Sequence, residues 1–378
     1  MLRTSVVKTS NKENERRVPI YPAHIPCLPE SVRKSLWFES GYGQDYGYDD
    51  AYFAEYTAGL LPRSTLFELS DLIILPKPMS MDLHAMHAGQ ILWGWPHCVQ
   101  QRSITQIAID RKLTLVAWEA MYSWSEKGER LVHVFYKNNE LAGYAAVHHV
   151  LELTGMDGFY GPRRTVVILG YGSVSRGIIH ALRGRGFNDI HVLTRRPSHL
   201  VGNQDPDVFY ANLIVSEDGS MLVQERSGEI SQLIDVLVKA DLICNAVLQD
   251  PDRPMMFVKP NEIDRLKSRS IIIDVSCDER MGFPFAVPTS FDSPIFTVSD
   301  GIIYYAVDHT PSYLWNAASR EISRALIPYL EAVMMGPDSW MKYETIRRAI
   351  EIRDGKILNP AIYRFQKRAA EYPHENCS

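Results

Sequence analysis

Residues 165–177 read TVVILGYGSVSRG, and the organisation of the whole chain follows from how this stretch is read. The run from Thr165 to Leu169 is β-branched and aliphatic, the pattern of a buried strand, and it gives way at Gly170 to a helical pattern that opens near Ser173. Gly170 can make the tight turn, Gly172 lets a pyrophosphate approach backbone amides at a helix N-terminus, and Ser175 with Gly177 permits close helix packing. Glycines at this spacing are a weak sign alone, since a helix that merely packs tightly needs them too. Here they join a strand to a helix, and a second strand pattern, DIHVLTR at 189–195, follows at the distance expected of a dinucleotide-binding unit.

An NAD site usually closes that second strand with Asp or Glu, which accepts from the ribose hydroxyls. This chain has Thr194, Arg195 and Arg196 instead. A carboxylate would repel a 2′-phosphate, whereas a hydroxyl and two guanidinium groups can bind it, so NADP(H) is expected in preference to NAD(H). Two solvated surface arginines beside an NAD site are the plainer alternative. Ser173 and Val174 at the helix start, and Ala246 and Val247 after the strand pattern DLICNAV at 241–247, complete the expected cofactor contacts.

Working outward, the same alternation recurs on both sides. Upstream, RTSVVK, SLWFES, DLIILP, QILWGW and LTLVAW read as strands, with a helix in CVQQRSITQIAIDRK. NELAGYAAVHHVLELTG reads as a connecting helix, and SIIIDVS, IFTVS and IIYYAV continue the second strand series. From Ala317 a helix with Ile322, Ala325, Leu326 and Leu330 on one face begins, followed by the turn signal RDGK. The expectation is an α/β protein with two Rossmann-like domains, parallel sheets and a cleft separating them. Residues 1–138 plus 318–378 form the substrate domain, to which the C-terminal segment returns, and 139–317 form the dinucleotide-binding domain.

Composition narrows the function. The 378 residues are 46% hydrophobic and 22% charged, with net charge −5, ordinary for a globular protein and without the basic face that nucleic acid requires. No apolar leader and no run of about 18 apolar residues appears, so neither membrane nor export is expected and the chain reads as cytoplasmic. The five cysteines lack CxxC spacing, and no HExxH or paired Cys/His pattern offers a metal site. The cysteines read as reduced thiols.

Four polar residues stand where strands of the first domain end: Arg17, Lys77, His97 and Glu119. Any one alone is more simply a solvated charge or a structural histidine. Lys77 gains weight because it interrupts an apolar strand and is framed by Pro76 and Pro78. His148 and His149, by contrast, have no partner at ligand spacing and read as structural.

At this point the blocks ERRVPIYP, PKP, GQILWGWPH, FYKNNELAGYAAV, VVILGYGSVSRG, IIIDVSCD, YYAVDHTPSYLWNAASREIS and DGKILNPAI, in this order, resemble the alanine dehydrogenase and lysine-forming saccharopine dehydrogenase superfamily. Trp93 and Trp95 around Gly94 are most similar to its N5-(carboxyethyl)ornithine synthase branch. The resemblance implies Arg17 as the ligand of a 2-oxo acid carboxylate, Lys77 as the lysine on the substrate carbonyl or carboxylate, and His97 as the catalytic histidine. It also implies substrate contacts from Trp95 and Glu119, Asp278 near the nicotinamide, and Asp308 and His309 near nicotinamide and substrate, although that last pair can equally be a structural turn. Glu279 and Arg280 depart from the small residues usual in the family, and Glu279 is a candidate partner for a distal ammonium.

The reaction so implied is reductive condensation: an amino acid such as ornithine or lysine adds to a pyruvate-like 2-oxo acid, water leaves, and NADPH reduces the imine to a secondary amine. Reductive amination with ammonia, a lysine-forming saccharopine dehydrogenase and an inactive NADP-binding sensor stay open beside it. The expected partners are small-molecule substrates and, from the family likeness, further copies of the same chain.

Overall fold

The computed structural model describes residues 1–197, 200–217, 219–250 and 253–376, which gather into two compact units. One holds Met1–Asn138 with the described residues from Trp315 onward, the other Asn139–Leu314. The chain re-enters the first unit at Trp315 rather than at residue 318, because turns of 3-10 helix over Thr310–Leu314 lead directly into the helix Trp315–Met334.

In the first unit, eight strands lie in the spatial order Lys356–Ile357, Ile350–Arg353, Thr114–Ala117, Ile91–Gly94, Leu72–Ile74, Thr4–Val6, Leu36–Glu39 and Gly59–Leu61. The last six of these are parallel. The chain starts at Thr4–Val6, winds outward to Gly59–Leu61, then returns to Leu72–Ile74 and winds the other way. Winding therefore reverses between Thr4–Val6 and Leu72–Ile74, and loops at the carboxyl ends of strands beside such a reversal are where open α/β sheets bind ligands.

The strands carry apolar residues on both faces, as a sheet covered by helices on both sides requires. Ile74, Trp93 and Val116 join Ile322, Leu326 and Leu330 of the helix Trp315–Met334 in one core. Their neighbours Ile73, Leu92 and Leu115 join Ile104, Ile107 and Ala108 of the helix Arg102–Asp110 in another.

In the second unit the order is Ile230–Gln232, Met221–Gln224, Phe209–Val215, Asp189–Thr194, Thr165–Leu169, Leu242–Asn245, Ile271–Asp274, Ile302–Tyr305 and Ile295–Val298. Six central strands are parallel and repeat the winding of the first unit, reversing between Thr165–Leu169 and Leu242–Asn245. The sheets are not wholly parallel as expected. Antiparallel strands cap both edges here and close one edge of the first sheet. The RDGK signal is the turn of one such hairpin, with Asp354 and Gly355 at φ 50° and 76°. Cys27, Cys98, Cys244 and Cys277 are thiols, and Cys377 lies outside the described residues. No helix among those residues is long and apolar enough to cross a membrane.

Two glycines fix how the helices Tyr136–Thr154 and Ser173–Gly184 cross. A Cβ on Gly177 would lie 1.8 Å from the Glu140 carbonyl oxygen, and one on Gly143 would lie 2.1 Å from that of Val174. Gly184, at the end of its helix, has open space around it. Gly177→Ala is expected to cost about 2 kcal/mol or more through forced separation of the helices, while Gly184→Ala is neutral or stabilises by about 0.5 kcal/mol. Urea unfolding of the two variants checks this, and coincident midpoints would refute it.

Candidate active site

The loops at the carboxyl ends of Leu72–Ile74 and Ile91–Gly94 run side by side beyond the last ladder pair. Leu75 N–H donates to the Trp93 carbonyl at 3.2 Å, and Trp95 N–H donates to the Pro76 carbonyl at 2.8 Å. Contact this close requires a residue without a side chain: a Cβ on Gly94 would sit 1.9 Å from the Leu75 carbonyl oxygen. The paired segments deliver Lys77 and His97 together, with Nζ 3.1 Å from Nε2. His97 itself has φ 48°, a left-handed conformation uncommon for a residue with a Cβ. Its backbone N–H is held by Glu119 Oε1 at 2.6 Å, and Nδ1 lies 4.0 Å from the same oxygen. Three of the residues expected from the sequence thus form one line.

Glu119 follows the next strand, Thr114–Ala117. Burial first, and then the neighbouring Glu351 carboxylate, push its carboxyl up to about 8. Its Oε2 is buried and has no hydrogen-bond partner among the described residues.

Arg17 is only 3% exposed. Its Nε and Nη2 donate to the two carboxylate oxygens of Glu15 at 2.8 and 2.5 Å, and Nη1 reaches Asn138 Oδ1 at 3.4 Å. The fork uses one hydrogen of Nη2 and leaves others on Nη1 and Nη2 that can meet a carboxylate. The guanidinium also lies over the Trp95 ring, 5.3 Å from its centroid. Trp95 is itself buried, packed edge-on against Trp118 and Phe135 at 4.7 and 5.2 Å. It is therefore a wall behind Arg17 more than an open contact surface. Sequence reading passed over Glu15 and Asn138, although Glu15 stands two residues from Arg17 in the quoted block ERRVPIYP.

In the second unit, Gly170 at φ 89° turns the chain from Thr165–Leu169, and Ser175 Oγ donates back to its carbonyl at 2.9 Å. Gly172 caps the helix Ser173–Gly184, and a Cβ there would meet nothing within 4 Å. The first N–H groups of a helix have no partner within it, so Ser173 and Val174 stand in the ready-made position for a phosphate. Ala246 N–H pairs with Leu169 O at 3.0 Å, placing Ala246 and Val247 directly beside the glycine turn at the reversal of winding. Thr194 is buried at the end of Asp189–Thr194, whereas Arg195 and Arg196 are exposed, and Arg196 Nη2 donates to the Tyr171 carbonyl at 2.7 Å. One guanidinium thus lies on the glycine turn itself. These features fit a dinucleotide.

Beyond the next strands, buried Asp274 accepts from Asn245 Nδ2, Tyr304 Oη and the N–H groups of Ser276 and Cys277 at 2.8–3.2 Å. This knot shapes the loop that presents Asp278, whose carboxyl burial pushes up to about 6. Asp308 and His309 bond each other, Oδ1 to Nδ1 at 2.5 Å. His309 is buried, with Phe291 edge-on to its ring. Glu279 is exposed beside Arg280, 3.9 Å away, at the surface of the same unit. His149 bonds Tyr305 Oη through Nδ1 at 3.0 Å within an aromatic stack.

Residues 6–140 match the alanine dehydrogenase/PNT N-terminal domain, and residues 149–360 match the C-terminal domain of that family. An N(5)-(carboxyethyl)ornithine synthase of Clostridium botulinum is 25% identical over 325 residues, 83% of this chain and 90% of that protein. An alanine dehydrogenase of Mycobacterium tuberculosis is 23% identical over 338 residues, 86% of this chain and 85% of its own. Among solved structures, an L-alanine dehydrogenase superposes with a TM-score of 0.77 at 20% identity, covering 96% of this chain and 98% of that one. A transhydrogenase from Sinorhizobium meliloti superposes with a TM-score of 0.68 at 15% identity, covering 95% and 99%.

Glu15→Ala would strand the Arg17 charge in a buried site, and is expected to destabilise the protein by roughly 3 kcal/mol. Denaturant unfolding reads this directly, and a loss of less than about 1 kcal/mol, the scale of an exposed pair, would show that the pair is not buried in solution.

Proposed function

Because the chain belongs to the alanine dehydrogenase/PNT family and is an oxidoreductase, we propose that it condenses a 2-oxo acid with the amino group of an amino acid, reductively and at the expense of NADPH. The observation that carries this reading is the line from Lys77 through His97 to Glu119, set at the carboxyl ends of adjacent strands in the unit that also holds the buried Arg17. It is an acid–base relay with an anion site in the same unit. The carboxyethylornithine synthase likeness supports an amino acid as the amine, as does the paired tryptophan motif around Gly94.

The reaction asks the protein to move protons. The amine nitrogen adds to the keto carbon, the hydroxyl so formed leaves as water, and both steps need a donor and an acceptor near neutral pH. Lys77 as a cation stabilises charge growing on the keto oxygen and donates to it. His97 takes the proton released by the attacking amine. Arg17 offers its remaining N–H groups to the oxo acid carboxylate, which fixes the face that is reduced. Bound NADPH supplies the hydride. Gly172, Ser173 and Val174 would hold its pyrophosphate, with Ala246 and Val247 alongside; Thr194, Arg195 and Arg196 would hold the 2′-phosphate. Asp278, Asp308 and His309 are assigned to the nicotinamide and substrate end, and Glu279 to a distal ammonium.

Following NADPH absorbance with pyruvate or 2-oxoglutarate and a panel of amines tests the reading. Consumption that requires both an oxo acid and an amino acid is expected, and consumption with ammonium alone would replace it by reductive amination. Lys77→Ala and His97→Ala should each lower turnover by about 100-fold or more while NADPH still binds, and full activity in either removes that residue from the relay. Replacing Arg195 and Arg196 with alanine should raise the KM for NADPH about 10- to 100-fold relative to NADH, the loss of one or two charge-assisted bonds. An unchanged ratio would return the cofactor to NAD(H).

A further inference from the structure

Arg17 sits on a stretch of chain that no ladder supports. Residues 15–18 belong to neither a strand nor a helix, yet Val18 and Ile20 are buried and join the core that holds Ile322 and Leu326. Buried backbone N–H and C=O groups need partners, and here side-chain hydroxyls supply them. Tyr42 Oη accepts from Ile20 N–H and donates to the Ile20 carbonyl, each at 2.9 Å. Ser319 Oγ accepts from Val18 N–H at 2.9 Å. Tyr46 Oη lies 3.1 Å from the Arg16 carbonyl and 2.6 Å from Ser319 Oγ. One hydroxyl pair therefore holds the backbone on both sides of Arg17.

The pair has two arrangements of its hydrogens, and both keep that hold. Ser319 donates to the Trp315 carbonyl at 2.7 Å while Tyr46 donates to Ser319, or Ser319 donates to Tyr46 while Tyr46 donates to the Arg16 carbonyl. In each, Oγ keeps a lone pair for Val18 N–H. Ser319 is fully buried, one turn before Ile322 on the helix Trp315–Met334. Alanine or leucine would suit both the helix and the core better, so the hydroxyl is explained by the bonds it makes. The same helix steadies the stretch through Trp315: the Arg16 guanidinium lies over the indole, 4.3 Å from its centroid, and the Tyr46 ring packs edge-on to it at 5.0 Å.

The Arg17 side chain has no slack. It is buried, forked onto Glu15 and set against Trp95, so a shift of its backbone passes to the guanidinium, as strain does in a close-packed interior. We propose that Ser319 and Tyr46 are positioning residues for the carboxylate site: their paired hydroxyls fix the backbone at Arg16 and Val18, and thereby the place at which the Arg17 guanidinium meets the 2-oxo acid. This rests on the reading of Arg17 as the ligand of that carboxylate given above. It also gives the return of the chain to the first unit a part in substrate binding, since Ser319 belongs to the helix that begins where the chain returns.

Tyr46→Phe removes one oxygen of the pair and keeps the ring, and Ser319→Ala removes the other. The full chain, labelled with nitrogen-15 in arginine, is followed by NMR, with Arg17→Lys to identify the Arg17 Nε–H signal. Ser323→Ala is the control, because Ser323 is as buried on the same helix but its Oγ lies 2.9 Å from His24 Nδ1, beyond the Arg17 stretch. Both hydroxyl variants should move the Arg17 signal, and Ser323→Ala should leave it in place. Pyruvate binding, measured by calorimetry with NADP+ present, should weaken about 10-fold or more in each hydroxyl variant, the cost of a misplaced ligand. The double variant should bind pyruvate no worse than the poorer single one, because the two oxygens act as a unit. The KM for the oxo acid should rise in step while that for NADPH stays. An unmoved Arg17 signal in both variants, an equal shift in Ser323→Ala, or unchanged pyruvate affinity overturns the proposal. If Ser319→Ala does not fold, Tyr46→Phe decides alone. An unaltered protein that binds neither pyruvate nor 2-oxoglutarate removes the carboxylate reading itself, while the Arg17 signal still decides whether the hydroxyl pair positions that residue.

Discussion

Gly94 is the constraint on which the first unit's chemistry depends. Strands in a parallel sheet lie nearly 5 Å apart and their carboxyl-end loops normally splay, yet here two loops continue in contact because one residue has no Cβ to keep them apart. The hydrogen bonds between Leu75 and Trp93, and between Trp95 and Pro76, consume backbone groups that would otherwise need water. Lys77 and His97 then meet as a consequence of backbone geometry, before any attraction between their side chains. Pro76 and Pro78 contribute by preventing a regular ladder from carrying Lys77 out of register.

The two units solve different problems with one topology. Both wind outward from a central strand and reverse once, and both place their distinctive residues at that reversal. In the first unit these are charged side chains on long loops, Arg17 and Lys77 foremost. In the second the glycine turn offers backbone N–H groups, with Gly172 open and Gly177 closed against the neighbouring helix. A phosphate is bound well by main-chain dipoles that need no repositioning, whereas proton transfer requires side chains that change their charge. The same fold can therefore host both because the reversal supplies position and the local sequence supplies chemistry.

Much of this was legible in the sequence, and the exceptions share a cause. The central strands are continuous apolar runs separated by helical patterns, so they could be picked out one by one; the glycine turn was legible because each glycine answers a steric need. The strands towards the sheet margins, Gly59–Leu61, Phe209–Val215 and Ile350–Arg353, were not, since each includes a glycine or polar residues and lacks a continuous apolar run. Lys77 and His97 stood out as polar residues interrupting apolar strands. Glu15, Asn138 and Asn245 did not, because each acts by fixing a partner and carries no pattern of its own. Trp95 was legible as unusual, but its burial was not. Its packing against Trp118 and Phe135, residues distant in the chain, carries no sequence pattern.

The distribution of charge through the first unit follows one rule. Arg17 is met by the Glu15 carboxylate in a bidentate fork. Lys77 is met instead by an imidazole, a partner that can take the proton, with a carboxyl group one step further on. A fixed charge suits a group whose task is to hold an anion, because its strength should not vary with pH. An adjustable one suits a group that must give and recover a proton in each cycle. The buried Trp95 ring backs the Arg17 guanidinium alone, while His97 and Glu119 stay partly open to solvent.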